Sequence, residues 1–222
     1  MQSLLNKTAT NIRHRSAFSL IELLTVMAII SILLVATIPI FSNASNNARQ
    51  ASREIVKAHL QQARAHAIAT GNSTAVAIPV LGSGKKLGSR GISLFEVENN
   101  GGTFTTLKDA AGKDRLLQRW ETLPGNIHFL SSSQVVTNGP TVSDSAQKLA
   151  TNYNEPLSCS FIAFSANGQI SHPPSGTTIQ IALAQAVNQG GSLKLTQRNR
   201  GQPIFDLLRI NRLTGRTRSV QP

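Results

Sequence analysis

The residues best placed to do chemistry stand at the start of the chain. A small residue, Ala17, precedes Phe18, and Glu22 sets one carboxylate at the entrance of an apolar run, Leu23 to Phe41, that carries no other charge. A cut between Ala17 and Phe18 removes a short leader and leaves a new α-amino group close to Glu22. A carboxylate in such a run either reaches headgroup water or finds a partner, because an unpaired charge deep in hydrocarbon costs about 2.5–3.5 kcal/mol. The chemistry this spacing points to is processing and charge pairing rather than turnover.

A second group of candidates lies at the other end. From Lys194 onward seven basic residues, Lys194, Arg198, Arg200, Arg209, Arg212, Arg216 and Arg218, stand against one acid, Asp206, in a chain of net charge +12. Such clustering makes an electrostatic footprint for a polyanion. Two destinations fit it: DNA phosphates, or anionic lipid headgroups and acidic partner subunits. Arg198, Arg200, Arg212, Arg216 and Arg218 are the candidate contacts, since a guanidinium forks onto phosphate oxygens. Phe205 is the only aromatic in this tail, which is thin for stacking single strands. The segment 216–220 also reads as the polar side of a last strand.

Other chemistry finds little support. Gly82-Ser83-Gly84-Lys85-Lys86 lacks the spacing of a phosphate-binding loop and reads as a basic hairpin loop. His59 and His66 are seven residues apart, about 10 Å along a helix, too far to share one metal, and read as surface or core-edge residues. There is no G-x-S-x-G elbow, no H-E-x-x-H and no Cys-plus-His cluster. Ten scattered acids single out no catalytic pair. No cofactor, no metal and no enzymatic activity are expected. Cys159 is the only cysteine, so no intramolecular disulfide forms, and a buried thiol is expected over an intermolecular bridge.

The elements that position these residues follow from periodicity. As a helix, Leu23–Phe41 spans about 28 Å, close to a bilayer core of about 30 Å. Lys7, Arg13 and Arg15 precede it without an acid, which suits the cytoplasmic side. No small-residue cleavage pattern follows it at Thr37–Phe41, so it does not read as an ordinary secretory signal. Beyond the run, Val56, Leu60, Ala63 and Ala67 form a stripe able to cover a sheet, and Gly71-Asn72 predicts the helix stop. After Asn72 short apolar or alternating segments predict strands at Thr74–Leu81, Gly91–Glu98, Ile127–Leu130, Ser160–Phe164, Thr177–Leu183 and Phe205–Asn211. Hairpin turns are expected at Asn99–Gly102, Asn167-Gly168 and Thr214-Gly215. Ser131 to Glu155 reads as a long polar surface loop. Some 150 residues beyond the helix suit one small domain.

Taken together, Ala17-Phe18-Ser19-Leu20-Ile21-Glu22-Leu23-Leu24 resembles the processing site of type IV pilins and type II secretion pseudopilins. Later pieces resemble the minor H-type pseudopilins and FimT-like pilins: Leu60–Ile68, Trp120–Ile127, Phe161–Gly168 and Leu208–Arg216. The resemblance implies an α+β pilin-like fold, with a long N-terminal helix packed on a C-terminal antiparallel sheet domain. It implies a leader, 1–17, removed by a prepilin peptidase that methylates Phe18. It further implies a transmembrane and assembly half at 18–41, an amphipathic half at 42–71 and a β domain at 72–222. Pro39 would be a helix-loosening proline, and Ala17 stands where the family usually has Gly, which predicts slower processing. Glu22 would pair with the Phe18 amine of a neighbouring subunit and set the axial register. The implied setting is a bacterial inner membrane, single-pass, with the C-terminal domain periplasmic. Implied partners are other pilin or pseudopilin subunits and an inner-membrane assembly platform. FimT-like pilins that take part in DNA uptake carry a Gly-Arg-x-Arg ending similar to Gly215-Arg216-Thr217-Arg218, which makes DNA a further implied partner.

Overall fold

The computed structural model describes residues 19–82, 87–134, 141–145, 147–152, 155–174 and 176–220, with the side chains of 35–44, 144, 152 and 199 outside that description. The expected leader 1–17, Phe18 and Lys85-Lys86 therefore lie outside the described residues. The chain divides into two compact units between Ser42 and Asn43. One helix, α1 (Leu20–Thr70, 51 residues), contributes to both.

In the first unit the described side chains of α1 from Leu20 to Leu34 are exposed throughout, Leu20 by 82% and Ile32 by 69%. The polar side chains Thr25 and Ser31 return their hydroxyls to the carbonyls of Ile21 (2.9 Å) and Met27 (2.8 Å). Such back-bonding satisfies them without water. Among the described residues of this unit Glu22 is the one charged residue, and it lies in the first helical turn, where the helix dipole favours an anion. Among the described residues no helix is long and apolar enough to cross a membrane. Pro39 falls within the span of α1.

In the second unit the helix meets two antiparallel sheets. The strands are β1 (Thr74–Pro79), β2 (Gly91–Asn100), β3 (Thr103–Thr106), β4 (Leu116–Thr122), β5 (Ile127–Leu130), β6 (Leu149–Asn152) and β7 (Pro156–Phe164). They continue with β8 (Ile170–His172), β9 (Thr178–Gln189), β10 (Ser192–Leu195), β11 (Arg198–Asn199), β12 (Gln202–Pro203), β13 (Asp206–Asn211) and β14 (Thr217–Val220). The first sheet runs β3-β2-β1-β7-β6, with β4 on β2 and β8 on β7; the second runs β10-β9-β13-β14, with β5 on β9. A separate ribbon pairs β11 with β12.

The helical stripe expected from the sequence is the seam of the core. Val56, Leu60, Ala63 and Ala67 are buried against Val76, Ile78, Ile162 and Phe164 of the first sheet and Ile181, Leu208 and Ile210 of the second. Burying Val56 and Leu60 contributes about 1.5–3 kcal/mol each. A second cluster, with Phe95, Phe104, Phe161, Leu149 and Cys159, backs the first sheet. Strand β1 is thus covered on both faces and reads as a continuous apolar run. The Cys159 thiol is fully buried, and burial raises its pKa to about 12, partly offset by Thr151 at 3.6 Å.

Three polar residues tie the helix to the sheets. Asp206, buried at the start of β13, takes a bidentate bond from Arg49 (2.8 and 2.9 Å) and faces Arg53 at 3.6 Å. Glu96 on β2, also buried, faces His66 at 3.6 Å and Arg115 at 2.8 Å. Of the surface and core-edge readings of His59 the buried one holds: it is 2% exposed, with Nδ1 2.9 Å from the Ile55 carbonyl and Nε2 3.7 Å from Glu121.

Two expectations need correction. The segment from Ser131 to Glu155 is not all loop: among its described residues Leu149–Asn152 forms β6 on β7, burying Leu149 and Thr151. Its short alternation was masked by polar neighbours. The strand expected at Ser160–Phe164 is the C-terminal part of the longer β7, and the one expected at Thr177–Leu183 begins one residue before β9 and covers its N-terminal half; the remaining ends of β7 and β9 pair with short partners, β6 and β10.

Candidate functional site

Strands β13 and β14 form the hairpin that carries the C-terminal arginines. Its turn is built by Asn211, whose Oδ1 accepts from the Thr214 amide (3.0 Å) and hydroxyl (3.1 Å), while the Gly215 amide donates to the Asn211 carbonyl (2.8 Å). Gly215 is required by both conformation and space. Its φ is +63°, and a Cβ there would sit 2.7 Å from Cδ of Arg64 on α1 and 3.0 Å from the Gly168 carbonyl. Arg64 Nε donates to that carbonyl at 3.2 Å. The helix therefore braces the turn from which Arg216 and Arg218 extend.

Alternation along β13 buries Leu208 and Ile210 and leaves Arg209 and Asn211 on the opposite face. The register sets Arg209 directly opposite Arg218 on β14 and opposite Gln180 on β9, with Asn211 opposite Thr178. The result is a groove of about 480 Å³ lined by Thr178, Arg209, Asn211, Thr214, Arg216 and Arg218, together with Val220. Among the described residues no carboxylate lines it. Like charges placed directly across two strands repel, and the Arg209 Nε is buried without a hydrogen-bond partner. An oxyanion in the groove would relieve the repulsion, and Asn211 and the two threonines add neutral groups able to bond its remaining oxygens.

Of the five arginines proposed as polyanion contacts, the structure brings two together. Arg216 and Arg218 share the groove with Arg209. Arg212 is a structural staple: its Nε donates to the Ile170 carbonyl at 3.2 Å and its Nη1 to that of Pro174. Arg198 and Arg200 belong to the β11–β12 ribbon, do not line the groove, and Arg198 bonds the Gly201 carbonyl at 3.4 Å. Their sequence proximity to the tail was misleading because the ribbon is not hydrogen-bonded to the arginine-bearing sheet. Arg209 was counted in the basic tail but not singled out. The signal that marks it is the alternation Leu208-Arg209-Ile210-Asn211, which opposes it to the core. Among the described residues no cluster of His, Cys, Asp or Glu suits a metal ion.

Residues 12–38 match the family model described as the prokaryotic N-terminal methylation motif. No curated protein matches the chain. Among solved structures the chain is similar to the type IV minor pilin FimU of Pseudomonas aeruginosa strain PAO1, at 18% identity and a TM-score of 0.41, over 80% of this chain and 90% of that one.

Proposed function

We propose that this type IV pilin-like chain is a minor structural subunit of a type II secretion pseudopilus or type IV pilus. A prepilin peptidase cuts between Ala17 and Phe18 and methylates the new amine, and the subunit then assembles through its hydrophobic helix. The observation that carries this reading is the methylation motif over residues 12–38, which includes Ala17, Phe18 and Glu22 and runs into α1, where every described side chain up to Leu34 is exposed and mostly apolar. Before assembly that surface is covered by the inner membrane, in which the span 18–41 sits with the β domain on the periplasmic side. Afterwards neighbouring subunits cover it, with Glu22 paired to a neighbour's Phe18 amine. Assembly requires the other subunits and an inner-membrane assembly platform.

The test is expression of the full chain with and without a prepilin peptidase, followed by mass measurement of the N-terminal peptide and co-purification with filament subunits. The expected product begins at methylated Phe18, and Glu22→Ala loses co-assembly. An intact leader in an assembled subunit, or normal co-assembly of Glu22→Ala, refutes the reading.

The arginine groove favours a second reading: a FimT-like minor pilin that binds DNA phosphates during DNA uptake. Two or three phosphate contacts give a slope of log affinity against log salt of about −2 to −3 on duplex DNA. The double variant Arg216→Ala/Arg218→Ala flattens that slope. Binding that ignores salt, or survives the double substitution, refutes it.

A further inference from the structure

Strand β14 is the outer strand of the second sheet: among the described residues it pairs with β13 alone. The register shows which of its backbone groups are spent. The Asn211 amide donates to the Arg216 carbonyl at 2.9 Å. Antiparallel partners alternate between hydrogen-bonded and non-hydrogen-bonded pairs, so Arg218 and Val220 turn their amides and carbonyls inward to Arg209 and Leu207. Those of Thr217 and Ser219 therefore point outward along the unpaired edge, where Arg218 and Ser219 are exposed.

The charges over this edge are of one sign. Arg216 and Arg218, two residues apart, share a face with Arg209 and line the groove in which, among the described residues, no carboxylate stands. Short length and charge guard an edge against apolar strands. Here they also guard it against a second copy of this chain, since two β14 strands side by side would set arginines against arginines. Of the chain's ten acids only Glu96 and Glu98 lie two residues apart, and β2, which carries them, is already paired on both sides. A strand with alternating acids must therefore come from a different protein.

An occupant of this edge has to meet both the backbone and the charge. Nucleic-acid phosphates meet the arginines, but their oxygens only accept and leave the outward carbonyls of Thr217 and Ser219 without donors. An extended peptide brings donors and acceptors together, as when a strand is added to a sheet edge. Its residue opposite Arg218 lies on the arginine face with its Cβ about 4.5–5.5 Å away, within reach of a carboxylate–guanidinium bond. We propose that the β14 edge takes up a strand of a different, partner subunit that carries acidic residues at alternate positions, its backbone bonded to Thr217 and Ser219 and its carboxylates against Arg216 and Arg218. This rests on the filament-subunit reading and deepens it by giving the chemistry of a neighbour.

The test is titration of the full chain in detergent with a short labelled peptide bearing glutamate at alternate positions and valine between them, read by fluorescence anisotropy. Saturable binding is expected, weakened about tenfold in Arg216→Gln/Arg218→Gln. Ser219→Pro removes an outward amide while sparing the bonds to β13, and abolishes peptide binding with unchanged circular dichroism. On the wild-type chain, peptides N-methylated at the valines alone or at the glutamates alone differ: one series loses binding and the other keeps it, because only one set of amides faces β14. Absence of saturable binding, undiminished binding to Ser219→Pro, or equal binding of the two N-methylated series overturns the proposal; the last two results would mean that the arginines hold a polyanion by charge alone, as they would hold DNA. Processing at Phe18 and the effect of Glu22→Ala are measured apart from peptide binding, so failure here is distinguishable from failure of the filament-subunit reading.

Discussion

Replacing Arg218 by Gln is expected to make the β domain more stable while weakening its hold on anions. Arg209 and Arg218 are direct cross-strand partners, so their Cβ atoms are about 5 Å apart and their charges, splayed by the long side chains, about 7 Å apart. Two unit charges at that separation repel by about 0.6 kcal/mol in water-like dielectric and about 2.4 kcal/mol at an effective dielectric of 20. Arg218 is exposed and Arg209 half-buried, which places the value near the lower end, about 0.6–1 kcal/mol. For a unit of this size 1 kcal/mol moves Tm by about 2–4 °C, so Arg218→Gln gains about 1–4 °C at low salt. The assay is thermal unfolding of the full chain followed by circular dichroism, with chloride and with inorganic phosphate at equal ionic strength. Chloride narrows the gap by screening, whereas phosphate, by occupying the wild-type groove, closes or inverts it through linkage. A loss of stability in Arg218→Gln, or equal stabilisation of both proteins by phosphate, would refute the idea that an uncompensated arginine pair awaits an anion.

Asp206→Asn leaves Arg49 and Arg53 facing a neutral group at a buried position, and is expected to cost about 3–5 kcal/mol; a chemical denaturation midpoint within error of wild type contradicts this. Gly125→Ala should also destabilise, because a Cβ there lies 2.4 Å from that of Ala48 at a φ of +61°, and Ala48→Gly in the same chain should recover part of the loss. Stability should fall as pH drops from about 6.5 towards 4. Burial, assisted by Arg90 and Lys148 respectively, lowers the pKa of His128 and His172 to about 4, so the unfolded chain takes up protons that the folded chain refuses. Each histidine contributes up to about 3 kcal/mol of that loss. Denaturation curves between pH 7.5 and 4 check it, and a His172→Gln variant with an unaltered pH slope contradicts the assignment.

Much of the architecture is legible locally. The Val56-Leu60-Ala63-Ala67 stripe predicts the helix face that is buried, and Gly71, at a φ of +74°, ends α1 where the sequence places its stop. The turns at Asn99–Gly102, Asn167-Gly168 and Thr214-Gly215 do join β2 to β3, β7 to β8 and β13 to β14. The strands that escaped, β3, β4, β6, β8, β10, β11 and β12, are short or polar. They owe their existence to a partner strand rather than to their own periodicity. Between the surface and core-edge readings of His59 the sequence could not choose, since burial beside Glu121 on β4 depends on how the helix lies on the sheet.

The sequence by itself determined what is written in neighbouring residues: the small residue before Phe18, the carboxylate at Glu22, the apolar run and the helical stripe. These are properties of a few turns of chain, and physical chemistry reads them without reference to the rest. Only the tertiary structure decided which charges act together. Arg49 meets Asp206 across 157 positions, Arg212 is spent on backbone carbonyls, Arg198 and Arg200 fall on another ribbon, and Arg209 enters the groove with Arg216 and Arg218. A one-residue slip of β13 against β14 would send these side chains to opposite faces. That register is fixed by long-range pairing and by the turn at Gly215 against Arg64, not by the order of residues in the tail.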